Sequence, residues 1–86
     1  MQNDKNKNTL ESQPAVSVFR LWCEYDYGQD GVVFWNKKDA RDWLNRQVFD
    51  IEGDNWAETL CANPEMYPAD HLDLEGLISF EKLALI

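Results

Sequence analysis

His71 is the only histidine of the chain, and it stands between Asp70 and Asp73, ten residues after Cys61. Histidine beside carboxylates and a thiol can hold a metal ion or activate a sulfur nucleophile. A metal site needs several ligands converging in space, and the spacing here matches no metal knuckle. The simpler expectation is a surface histidine in a helical turn. A dyad of His71 with Cys23 or Cys61 is disfavoured because Cys23 falls on the strand face assigned to the core, where a thiol is inert.

Asp50, Glu52 and Asp54 alternate as calcium ligands do. The segment fails the EF-hand pattern, which needs glutamate at the twelfth position, where Cys61 stands. Asp50 to Asp54 is expected to be an acidic capping loop. Gly28 and Gly31 belong to no phosphate loop and read as turn residues. Lys37, Lys38, Arg41 and Arg46 line one helix face and could meet a few phosphates, with Trp35 stacking a base. A net charge of −8 argues against direct nucleic-acid binding.

The distribution of that charge is the more informative feature. Residues 1–49 carry seven acids and seven bases, whereas residues 50–86 carry nine acids and Lys82 alone. A field of one sign at one end steers association with a partner of the opposite sign. Asp50, Glu52, Asp54, Asp70, Asp73 and Glu75 are the candidate contact carboxylates. Trp56 and Tyr67 are candidate aromatic contacts. No catalytic residue, metal or cofactor is assigned.

These side chains need elements to position them. The 86 residues make one domain, and a chain of this length buries roughly 60% of its unfolded surface. Residues 1–13 read as a flexible polar tail, Pro14 as its boundary, and residues 14–86 as a single domain. In 16–25, Phe19, Leu21, Cys23 and Tyr25 alternate onto one face, with Val16, Val18 and Trp22 on the other. A turn at Asp26–Gly31 and a strand at 32–35 complete a hairpin. Asn36 is a good N-cap, with Asp39 three residues on. Ala40, Trp43, Leu44 and Val48 then form the apolar stripe of a helix over 37–49. Lys37 and Lys38 in its first turn oppose the helix dipole, which suggests a contact for them.

Asn55 is expected to cap a short helix over 56–62, in a capping box with Glu58. Asp70 is expected to cap a turn from His71 to Glu75, ending at Gly76. Ile78 and Phe80 alternate with Ser79 and Glu81, and the alternation slips at Lys82. A C-terminal strand with a bulge at Glu81-Lys82 is expected. The expected fold is α+β: a small antiparallel sheet, N-terminal hairpin plus C-terminal strand, packed on one main helix with a second short helix. Its expected core is Phe19, Leu21, Phe34, Ala40, Trp43, Leu44, Val48, Leu60, Ile78 and Phe80.

No hydrophobic leader follows Met1, no apolar run approaches the ~18 residues of a membrane span, and the two cysteines make no disulfide framework. A reduced, cytoplasmic protein is expected. In size, charge and general build the chain resembles the inhibitors that phages and mobile elements aim at host nucleic-acid enzymes, including anti-restriction and anti-CRISPR proteins. The resemblance covers no defined motif. It implies a non-enzymatic inhibitor that occupies the basic, nucleic-acid-binding site of a partner protein, with no membrane and no direct nucleic acid. The alternative from another class is a structural or regulatory module, a homodimer for instance, docking through Trp22, Trp56 and Tyr67.

Overall fold

The computed structural model describes residues 17–85. The expected tail, Pro14 and Val16 lie outside the described residues. Three strands, β1 (Ser17–Cys23), β2 (Val33–Phe34) and β3 (Ile78–Ala84), form one antiparallel sheet in the order β2-β1-β3. The main helix α1 (Lys37–Glu52) packs on it, joined by two short helices, α2 (Trp56–Leu60) and α3 (Pro68–Leu74). The architecture is the α+β arrangement read from the pattern, with one more short helix.

β1 is central, and β3 pairs with all of it, from Ser17 opposite Ala84 to Cys23 opposite Ile78. The register never breaks, so the bulge expected at Glu81-Lys82 is absent. Lys82 lies opposite Phe19 on the helix-facing side, yet it is exposed. The pattern slips there because the helical cover runs out, while the pleat continues. On the opposite face Val18 pairs with Leu83 and is buried. β1 ends at Cys23, two residues early, and Tyr25 is exposed. β2 keeps only Val33 and Phe34, opposite Arg20 and Phe19.

Asn36 caps α1 as expected, its side-chain oxygen accepting from the Asp39 N–H at 2.8 Å. Ala40, Leu44 and Val48 form the stripe and are fully buried. Trp43 packs against Phe34 with ring centroids 5.5 Å apart. The acidic loop expected from Asp50 is instead the last turn of this helix. Aspartates near a helix C-terminus cost only tenths of a kcal/mol, and nothing before Gly53 breaks the helix. Gly53 does, at φ 65° and ψ −150°, a conformation that favours glycine. Its N–H donates to the Phe49 carbonyl.

A 3₁₀ turn, Gly53–Asn55, leads directly into α2. Asn55 therefore arrives at φ −93° and ψ 11° and makes no side-chain cap. The expected capping box with Glu58 needs an extended N-cap residue, so it does not form. α2 also stops two residues early. Cys61 takes the left-handed conformation at φ 53°, and the Cys61 and Ala62 N–H groups bond back to Glu58 and Ala57 at 3.3 and 2.8 Å. That pair of bonds is a Schellman motif.

α3 begins at Pro68, not after Asp70. Proline suits the first helical position because its missing N–H would have no partner there. Asp70 lies inside the helix and does not cap it. The Asn45 side chain of α1 caps it from across the interface, accepting from the Ala69 N–H at 2.7 Å. Pro68, Ala69, His71 and Leu72 are buried against the rest. His71 is 8% exposed, which corrects the expectation of a surface histidine.

The core joins Leu21, Cys23 and Ile78 of the sheet to Ala40, Leu44 and Val48 of α1, with Trp56, Leu60, Ala69 and Leu72 from the short helices. Phe34, Trp43 and Phe80 pack at its margin. Phe19 stands apart, half-buried beneath the Lys37 ammonium, which lies 5.7 Å from the Phe19 and Phe80 ring centroids. This cation–π contact accounts for a lysine in the first turn of α1.

Tyr27 completes the core from within the turn. Gln29, also buried, ties that turn together. Its Oε1 accepts from the Tyr27 N–H at 2.9 Å, and its Nε2 donates to the Cys23 and Tyr25 carbonyls at 3.3 and 3.0 Å.

Candidate interaction surface

Between Arg46 and His71 the sequence has no basic residue and six acids: Asp50, Glu52, Asp54, Glu58, Glu65 and Asp70. The fold places this segment at the C-terminal end of α1, the 3₁₀ turn, α2 and the loop to α3. Asp50, Asp54, Glu58 and Glu65 are exposed there, and none of them is ion-paired among the described residues. Glu52 is half-buried and accepts a long hydrogen bond, 3.4 Å, from the Tyr27 hydroxyl. Burial first, and the Glu52 carboxylate second, push the Tyr27 phenol up to about 12.

Asp70 and Asp73 do not belong to the free set. They lie three residues apart on α3 and so share a helix face. Arg41 of α1 donates to both, at 3.1 and 2.8 Å. Desolvation alone would lower the guanidinium pKa, and the two carboxylates reverse it to a net rise. Glu75 is exposed just past α3. Of the six candidate carboxylates, Asp50, Asp54 and Glu75 stand open, Glu52 partly so, and two are neutralised within the fold.

The candidate aromatics divide as well. Trp56 is 8% exposed and packs edge-on against Phe49, centroids 6.1 Å apart, which removes it from the list of exposed docking rings. Tyr67 is 64% exposed. Both rings line a hollow of about 360 Å³ with Phe49, Pro64, Glu65 and Met66. Sequence reasoning missed Phe49, Pro64, Glu65 and Met66. Their only signal was an aromatic, proline and methionine cluster interleaved with acids. Trp22, at 52% exposure, lies on the sheet face away from α1.

The basic helix face is largely occupied. Lys38 pairs with Asp42 at 2.7 Å and Lys37 covers two rings. Arg20 of β1 sits 3.6 Å from Glu81 of β3.

Cys23 is buried, and burial pushes its thiol pKa up, so it stays protonated at neutral pH. Cys61 is exposed. Among the described residues no group of three or more His, Cys, Asp or Glu could hold a metal ion, and no helix is long and apolar enough to cross a membrane. Comparison with known protein families, with curated proteins and with solved structures finds no match to this chain.

Proposed function

We propose that this chain is a small non-enzymatic binding protein of the cytoplasm that presents carboxylates to a basic surface on a partner protein. The partner is a nucleic-acid-processing enzyme, its basic site ordinarily meets phosphates, and the outcome is inhibition, as with the anti-defence proteins of phages and mobile elements. One observation carries the reading: the exposed acids Asp50, Asp54, Glu58 and Glu65 lie on one contiguous, base-free segment, while the described bases are mostly engaged within the fold. A fixed set of like charges steers a basic partner and fixes its orientation. Free thiols agree with a reducing compartment.

The test compares two charge reversals of equal size. One changes Asp50, Asp54 and Glu58 to lysine; the other changes Glu24, Asp26 and Asp30. Partner capture from nuclease-treated host extract is followed by a salt titration. The first reversal should abolish capture and the second should spare it. Equal losses would reduce the effect to net charge and sink the reading.

A second reading is favoured by the sheet. Trp22 and Val33 are about half exposed on its outer face, a surface on which a second copy could pack. Sedimentation of the wild type and Trp22→Ser decides it. A monomer at all concentrations rules the homodimer out.

A further inference from the structure

The hollow beside the acidic segment combines features that an apolar docking groove does not need. Its walls are Phe49 from α1, Trp56 from α2, and Pro64, Glu65, Met66 and Tyr67 from the loop before α3. At about 360 Å³ it is within the size range of small-ligand sites. The edge-on contact of Phe49 with Trp56 fixes one wall, and Trp56 is itself buried, so that wall is rigid. Tyr67 and Phe49 remain 64% and 39% exposed.

Two exposed rings, Phe49 and Tyr67, and one carboxylate, Glu65, select for charge. An anion meets Glu65 and the negative faces of the rings. A neutral apolar group leaves Glu65 beside it with nothing to balance it. A cation is attracted by the rings and by Glu65 at once. Among cations a guanidinium fits best, because it is planar, weakly hydrated, stacks on rings and forks onto a carboxylate. Within the chain the competing cation is Arg46, which lines a second hollow sharing Tyr67 and makes no ion pair among the described residues; the other bases there are held, Arg41 by Asp70 and Asp73 and Lys38 by Asp42.

We infer that this hollow is a receptor for one arginine side chain of the basic partner. The choice of partner rests on the function proposed above; the ring chemistry does not.

The experiment follows backbone amide and indole N–H signals by NMR while the protein is titrated at low ionic strength with a tri-arginine peptide and with tri-citrulline, its uncharged isostere. Tri-arginine should shift the Trp56 indole and the Glu65, Met66 and Tyr67 amides, and tri-citrulline should leave them in place. Tyr67→Ala and Glu65→Gln, both at exposed positions, should each weaken tri-arginine by about fivefold. Equal binding of tri-citrulline overturns the inference. So does tri-arginine binding that both substitutions leave unchanged, which would place it on the open carboxylates and keep the acidic-surface reading intact. Absence of any tri-arginine binding overturns the hollow alone, since the charge-reversal capture judges the other reading separately. Conversely, capture indifferent to Asp50, Asp54 and Glu58, with tri-arginine still seated, removes the proposed function and leaves an arginine site.

Discussion

Arg41 on α1 donates to Asp73 on α3 at 2.8 Å, and its second nitrogen reaches Asp70 at 3.1 Å. One guanidinium thus ties two helices together and withdraws two carboxylates from the surface field. Arg41→Ala should cost about 1 kcal/mol, a modest value because all three side chains keep substantial contact with water. Denaturant melts of the single variants and of the pair with Asp73→Asn would isolate the coupling. A cycle that closes to zero would mean that the pair only decorates the interface.

Gln29 is a polar side chain that the turn cannot do without. Its amide satisfies one N–H and two carbonyls in the bend that carries Tyr27 into the core. Gln29→Ala strands those groups and should destabilise by about 1–3 kcal/mol. Gln29→Glu keeps the acceptor for Tyr27 but turns the donor into a charge facing two carbonyls, and should be at least as harmful. Chemical denaturation of both variants checks the order.

Tyr27 makes stability sensitive to alkali. Its phenol is raised from 10 to about 12 by burial and by Glu52. The folded state holds this proton more tightly than the unfolded chain does. The contribution is therefore complete below pH 10 and is lost as pH rises toward 12. Absorbance titration should find one of the three tyrosines ionising late and together with unfolding. Tyr27→Phe should flatten the alkaline limb. A limb unchanged by that substitution would assign it to other groups.

Cys61 and Cys23 should differ sharply toward a thiol reagent. Cys61 is exposed and should react in the native state, whereas Cys23 is buried, held protonated, and should react only on unfolding. Cys61 also occupies a left-handed position that favours glycine. Cys61→Gly should abolish the fast reaction and raise stability by roughly 0.5–1 kcal/mol. A fast-reacting thiol remaining in that variant would show the core opening around Cys23.

What could be read from the sequence was local. The hairpin, the Asn36 cap and the Ala40–Leu44–Val48 stripe follow from periodicities that each element carries by itself. The failures share a cause, which is that tertiary partners decided them. Asn45 caps α3 from a different helix, and Arg41 meets Asp70 across 29 positions of chain. No short-range pattern reports either contact. His71 was misplaced for the same reason: alone in a polar turn it reads as exposed, but the face it shares with Leu72 and Ala69 is the one α3 buries. The acidic segment was visible as composition, but which of its carboxylates stay open depended on where Arg41 lies. The hollow depended on the loop before α3 bringing Pro64, Glu65, Met66 and Tyr67 beside Phe49 and Trp56.

The unbroken pairing of β1 with β3 also governs the order of assembly. The first and last strands meet along their whole length, while β2 offers β1 only two residues. A nascent chain can form α1 and its short neighbours from nearby sequence, yet β1 must wait for almost everything else to be made. Such distant pairing slows folding. Until β3 arrives, Leu21 and Cys23 lack their cross-strand cover from Phe80 and Ile78. Loss of β3 should therefore leave a helical but open chain, prone to pair its bare central strand with another of its kind.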